Sequence, residues 1–327
     1  MESKPVSCKT LGDYFHLDGK QLQQQYRDHL STYHQWAQKS HAKEWILFPK
    51  NFGRHLSIDE TSLSNGELYT ILTNKEAKGK KGCLIAMIKG TESSKIISVL
   101  QKISYEKRSQ VKEITLDMAA SMNKIVRRSF PKAVVVIDRF HVQKLVNDAV
   151  QELRIQYRWE AIDKENKAIK TARSNGVPFK NHLLANGDTL RQILVRSRFL
   201  LFKASYKWSD SQRFRASLLF EKYPKIKQAY DLSQSLRTIF SKTKDKGVAY
   251  AKLAKWYNLV EKIGLKSFRI VSNTIQTHYL GILNYFENRS TNASAESFNA
   301  KIKDFRRHFR GVTDVKFFLF RLTKIYA

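Results

Sequence analysis

Residues 54–90 read RHLSIDETSLSNGELYTILTNKEAKGKKGCLIAMIKG, and three strands can be read out of them. Arg54 to Ser62 alternates apolar and polar residues and ends in acids. Glu67 to Asn74 is rich in β-branched and aromatic residues, which fit a pleated, half-buried surface. The polar run Lys75 to Lys81 is a turn, and Gly82 to Gly90 is a third apolar segment. Short runs of this kind, separated by turn residues, predict an antiparallel meander.

Working outward, the pattern changes period. Ile96, Ile97 and Leu100 recur at helical spacing within Thr91 to Ile103. Val111 to Leu116 reads as a fourth strand with Asp117 at its end. Ala119 to Phe130 is a helix stopped by Pro131, because proline cannot donate to a helical turn. Ala133 to Ile137 (AVVVI) is a continuous apolar run, expected to be a strand buried on both faces, with Asp138 at its end. The order β-β-β-α-β-α-β is that of ribonuclease H, so the expected fold class is α/β with a mixed sheet.

On either side the chain is helical. Lys20 to Trp36 reads as a helix in an N-terminal segment, residues 1–53. Residues 54–141 carry the strands. Residues 142–288 read as an all-α insertion, with helices at Val142–Asp163, Leu190–Phe202, Ser209–Phe220, Pro224–Phe240, Val248–Ile263 and Phe268–Phe286. Residues 289–327 return to complete the core: Ser294 is the expected N-cap of a helix carrying Glu296 in its first turn. Asp314 to Ala327 is an amphipathic closing helix.

The composition narrows the function. Of 327 residues, 59 are Lys or Arg and 29 are Asp or Glu, a formal charge of +30. Such an excess repels itself in a compact fold and calls for a polyanion, nucleic acid first. Cys8 and Cys83 are far apart and fit neither a disulfide framework nor a paired-cysteine zinc site. No apolar run is long enough to span a bilayer and no signal-peptide pattern opens the chain, so the expected location is the cytoplasm, with the nucleoid. A glycine-rich phosphate loop is also absent, which leaves nucleotide hydrolysis unsupported.

Asp59, Asp117 and Asp138 each close a predicted strand, and Glu296 opens a helix. In a chain poor in acids this placement suggests a carboxylate site for hard divalent cations, Mg²⁺ or Mn²⁺. Two ions would serve phosphoryl transfer, one activating the attacking oxygen and one stabilising the leaving oxygen. Each aspartate taken singly is also an ordinary turn residue. Asp138 and His141 are possible accessories, with a hydrogen-bonded structural role the commoner fate of such a histidine. Glu60 should point to the opposite side of its strand from Asp59 and form a salt bridge.

Four segments resemble the DDE transposases of bacterial insertion sequences, in particular the ISL-three group. They are LSIDETS at 56–62, ITLDMAASM at 114–122, FPKAVVVIDRFHV at 130–142 and NRSTNASAESFNAKIKDFRR at 288–307. The resemblance spans roughly residues 54–325 and includes the helical insertion before the glutamate. It implies a ribonuclease H-like catalytic domain. Asp59, Asp117 and Glu296 would then be the catalytic, metal-binding triad, with Asp138 ranked below Asp117. It further implies cleavage and strand transfer of element ends, with terminal inverted repeats and target DNA as partners, and a homo-oligomer that brings two ends together. The alternatives are a non-catalytic DNA-binding derivative and a ribonuclease H-like nuclease or resolvase.

DNA contacts are expected from Asn299, Lys303, Arg306, Arg307 and Arg310 on the glutamate helix and its continuation. Asn299 and Lys303 follow Glu296 by three and seven residues, on one helix face. In the insertion, Arg213 and other cations interleave with aromatics that could stack on unpaired bases. Trp208, in the polar context YKWSDSQR, is the best stacking candidate, whereas Trp256 is expected in the core. Relatives of this kind begin with a zinc-binding segment and a helix-turn-helix. The first fifty residues here show no paired cysteines and no clear helix-turn-helix, so the chain reads as the second product of a split gene, a truncated copy or a chain with a compact substitute, and a separate N-terminal DNA-binding partner chain is expected to supply end recognition.

Overall fold

The computed structural model describes residues 2–63, 66–309, 312 and 314–327. They form a mixed α/β chain divided into two compact units, Met1–Asp138 with Arg289–Ala327, and Arg139–Asn288.

The first unit opens with helices α1 (Cys8–Phe15) and α2 (Gly19–Gln25), the second running into a π-helical turn at Tyr26–Leu30. The single helix expected over Lys20–Trp36 therefore stops early. Strand β1 (Trp45–Leu47) follows, then β2 (His55–Ser62), β3 (Leu68–Asn74) and β4 (Leu84–Lys89). Next come α3 (Ser93–Leu100), α4 (Tyr105–Ser109), β5 (Glu113–Leu116), α5 (Ala120–Ser129) and β6 (Val134–Ile137). The six strands make one sheet in the order β1-β4-β3-β2-β5-β6. β2, β3 and β4 are the expected antiparallel meander, and β5 and β6 add in parallel beyond β2. Strand β1, unread in the sequence, pairs antiparallel with β4 at the far edge. The AVVVI run forms the opposite edge of the sheet among the described residues. Val136 and Ile137, which point to opposite faces, are both buried, so both faces are covered at that end, while Val134 at the start of the strand is exposed.

The second unit begins with α6 (Arg139–Ser174), which runs past the expected end at Asp163. It continues with α7 (Leu190–Arg196), α8 (Asp210–Lys222), α9 (Pro224–Lys242), α10 (Lys246–Ile263), α11 (Lys266–Thr277) and α12 (Tyr279–Asn288). The helix expected over Phe268–Phe286 is thus two, broken at His278. Helix α6 packs on α7, α9 and α11. Inside this unit the fully buried Asp188 binds Arg196 and Arg215, a cluster in which charge burial is compensated by pairing. Trp256 donates its indole N–H to the Leu232 carbonyl at 3.0 Å and lies in the core, as expected.

The chain then returns to the first unit as α13 (Ala293–His308) and α14 (Val315–Tyr326). Their apolar faces, Phe298, Ile302 and Phe305 with Phe318, Leu319 and Leu322, close over Tyr69, Ile71, Leu84 and Met87 of the sheet. Helices α3 and α5 pack together and bring their own buried Ile96, Val99, Ile125 and Val126 to β4 and β5. The N-terminal segment is stitched to α14. Tyr26 and Tyr33 pack on Phe317 and Phe320, and the fully buried Arg321 donates to the Val6 carbonyl at 2.9 Å. No helix among the described residues is long and apolar enough to cross a membrane.

Candidate active site

The parallel register brings the strand-end aspartates together. Ser57 of β2 pairs with Thr115 of β5, so two residues further on Asp59 comes level with Asp117. Leu116 pairs with Ile137 of β6, which puts Asp117 level with Asp138 in turn. The Asp138 N–H extends this ladder by donating to the Leu116 carbonyl at 3.2 Å. Neighbouring strands are about 4.8 Å apart. Three aspartates therefore form a row across the ends of adjacent strands, with Asp117 in the middle.

Each carboxylate in the row has its own anchor. Asp59 lies opposite Ile71 of β3, and so stands on the face covered by α13. Its Oδ1 accepts the Glu60 N–H at 2.8 Å, and its Oδ2 accepts the side-chain amide of Asn299 at 2.7 Å. The same Asn299 nitrogen also reaches the Glu60 carbonyl at 3.3 Å. Asp117 accepts the Ala119 N–H at 2.8 Å, a turn that leads straight into α5. Asp138 is only 2 % exposed and accepts the backbone N–H of Asn292 at 2.7 Å.

Glu296 lies in the first turn of α13, as expected. The N-cap is Asn292, however, not Ser294, whose hydroxyl is buried inside the helix without a partner. Glu296 is at an exposed position one turn before Asn299, so the helix that carries it is bonded to Asp59 by the next turn. Asn299 is buried, and its side-chain amide binds Asp59.

Among the described residues Glu60 makes no ion pair, so the expected salt bridge is not seen. Burial, Asp117 and Asp59 together push its carboxyl above the usual range. The site is thus a negative spot in a strongly basic chain. Its donors are all oxygens: Asp59, Asp117 and the amide oxygen of Asn299, which is buried and has no hydrogen-bond partner. That chemistry fits a hard divalent cation. Among the described residues, no three His, Cys, Asp or Glu side chains converge closely enough to hold a metal ion by themselves.

Residues 56–322 match the model of a transposase family, the DDE transposases of the ISL-three group. The chain belongs to this family. Two curated relatives are each a transposase for insertion sequence element IS1557, from Mycobacterium tuberculosis strains CDC 1551 and H37Rv. Each is 23 % identical over 256 residues, which cover 76 % of this chain and 55 % of the relative. The chain therefore spans about half the length of the curated relatives it matches. No solved structure matches it.

The remaining expected residues of this family member fall into different settings. Lys303 is exposed on α13. Arg306 turns inward and donates to the Leu63 carbonyl at 2.8 Å, tying α13 to the end of β2. Arg307 is open to solvent, beside Asp304. Arg310 lies outside the described residues. In the second unit, Arg213 is largely exposed and sits 3.8 Å from Asp210. The expectation that Trp208 offers a ring to unpaired bases is corrected. It is 8 % exposed, donates its N–H to the Leu200 carbonyl at 3.0 Å, and packs on Phe220 and Tyr230. His141, in the first turn of α6, has a buried Nε2 without a partner. Asn292 escaped the sequence reading altogether; the only signal was its place two residues before the expected cap.

Proposed function

We propose that this chain cuts and joins DNA as an insertion-sequence transposase, with Asp59, Asp117 and Glu296 as its catalytic carboxylates. The reading takes the mixed sheet with its two parallel additions as a ribonuclease H-like core, interrupted by an all-α insertion. The observation that carries it is the adjacency of Asp59 and Asp117 at neighbouring strand ends, beside the helix that bears Glu296.

Two divalent cations, Mg²⁺ or Mn²⁺, held by Asp59, Asp117 and Glu296, would lower the pKa of the attacking oxygen and stabilise the leaving one. The protein's own part is to hold the donors still. Asn299 fixes the direction of the Asp59 carboxylate, and the Ala119 N–H fixes that of Asp117. Preset donors need no reorganisation as charge develops. Exposed Lys303 and Arg307 on the same helix supply phosphate contacts to the DNA strand. In the first reaction water attacks the phosphodiester at the element end, and the P–O3′ bond breaks to leave a 3′-hydroxyl. In the second that hydroxyl attacks a target phosphodiester, forming a new P–O3′ bond and releasing a target 3′-hydroxyl. Joining two ends requires at least two copies of the site, hence a homo-oligomer. Recognition of the terminal inverted repeats would supply sequence specificity.

The test is strand transfer of a labelled, pre-nicked element end into target DNA with Mg²⁺, comparing the unaltered chain with Asp117→Asn. Joined product from the former and a loss of about a thousandfold or more in the latter are expected, the scale typical of removing an essential catalytic group. A chain that binds DNA yet yields no product even with Mn²⁺ would instead be a DNA-binding derivative. Cleavage without joining would make it a nuclease.

A further inference from the structure

We propose that Asp138 is a positioning residue: its buried carboxylate fixes the first turn of α13 and thereby sets Glu296 against the row of strand-end aspartates. This rests on the reading of Glu296 as a catalytic carboxylate.

The ends of helices leave backbone groups without intrahelical partners, and a side chain of the helix's own cap normally serves them. Helix α13 departs from this. Its N-cap, Asn292, makes no side-chain capping bond, and both atoms of its buried amide lack partners, as does the Ser294 hydroxyl. The anchor comes from Asp138, 154 positions earlier in the chain, whose Oδ2 takes the Asn292 N–H at 2.7 Å. A charge-assisted bond of this length, inside the protein, is among the stronger tethers available to a backbone amide. A carboxylate at this end also complements the helix dipole.

The second tether is the Asn299 bond to Asp59. The two anchored residues, 292 and 299, are seven apart, about 10.5 Å along a helix axis at 1.5 Å per residue. The anchoring aspartates sit on β6 and β2, separated by β5, or roughly 9.6 Å at one strand spacing each. The two lengths agree. Glu296 therefore lies between the tethers just as Asp117 lies between Asp138 and Asp59. Release of one tether would leave the other as a pivot, and misplacement of a reacting group by about 1 Å can lower a rate about a hundredfold.

Three forms of the full chain decide it: unaltered, Asp138→Asn and Asp138→Ala. Asparagine keeps an oxygen that can accept the Asn292 N–H; alanine does not. Hydrogen–deuterium exchange without metal or DNA reads the tether directly. Peptides covering residues 290–300 should exchange at least tenfold faster in Asp138→Ala than in the unaltered chain, with β2 to β5 unchanged, and Asp138→Asn should stay close to the unaltered chain. In strand transfer, kcat should fall at least tenfold in Asp138→Ala with KM for DNA held, and Asp138→Asn should recover most of it. Unchanged exchange in 290–300 for Asp138→Ala overturns the proposal. So does an Asp138→Asn variant as inactive as Asp138→Ala, which would make the carboxylate a direct ligand. If Asp138→Ala loses the whole fold, the exchange and kcat of Asp138→Asn carry the decision alone. If even the unaltered chain transfers no strand, the exchange result still stands while the assignment of Glu296 fails.

Discussion

A single amide explains much about the candidate site. Asn299 must turn its NH₂ group toward Asp59 and the Glu60 carbonyl, because both can only accept. Its oxygen is thereby forced toward the side where it finds no partner. Asn299→Ala should lower strand transfer by about ten- to a hundredfold, since the bond orients a reacting group. Asn299→Asp should do worse, by facing Asp59 with a like charge. Steady-state rates beside a melting curve would separate this from unfolding. At the same scale, burial pushes the Cys83 thiol up to about 11. An acid raised in the folded state stays protonated until pH passes that value, so almost no thiolate exists at pH 8. Cys83 should therefore resist a thiol reagent at pH 8 in the folded chain and react at once in denaturant.

Elements decide what single residues suggest only ambiguously. On sequence grounds Trp208 sits in a polar neighbourhood, yet the two 3₁₀ turns that precede it bring the ring against Phe220 of α8 and Tyr230 of α9. Trp208→Ala should destabilise the chain by about 3–5 kcal/mol, as for other large buried aromatics, and shift the urea midpoint accordingly. DNA affinity per folded molecule should stay the same. Unaltered stability with weakened binding would return Trp208 to the surface. Helix α13 shows the same principle. The place of Glu296 in its first turn was readable from the sequence, whereas its true cap was not. Asn292 and Ser294 are both good capping residues, and local sequence does not choose between them when a distant carboxylate takes the N–H.

At the scale of the whole molecule, charge dominates. With 59 basic and 29 acidic residues, the chain should bind DNA through many phosphate contacts. If about six phosphates are neutralised, log K against log salt concentration should fall with a slope near −5. Removing one exposed cation, as in Lys303→Ala, should flatten that slope by about one unit without changing sequence preference. A titration series from low to high salt measures both; a slope near zero would remove DNA from the account of this chain's charge.

The sequence by itself determined the alternation of strands and helices, the order of the meander and its two parallel additions, and the identity of the carboxylate candidates. Those features are local: side-chain periodicity and strand-end acids are written within a few residues of each other. Only the tertiary structure decided that Asp59, Asp117 and Asp138 stand in one row, that β6 is an edge and β1 exists, that Arg306 faces inward and Trp208 is buried, and that Asn299 and Asn292 are tethered to aspartates 240 and 154 residues away. Such contacts depend on register and on which face a helix turns to the sheet. One step of slippage along a strand would turn every side chain to the other face, and no local pattern encodes which distant partner fixes that step.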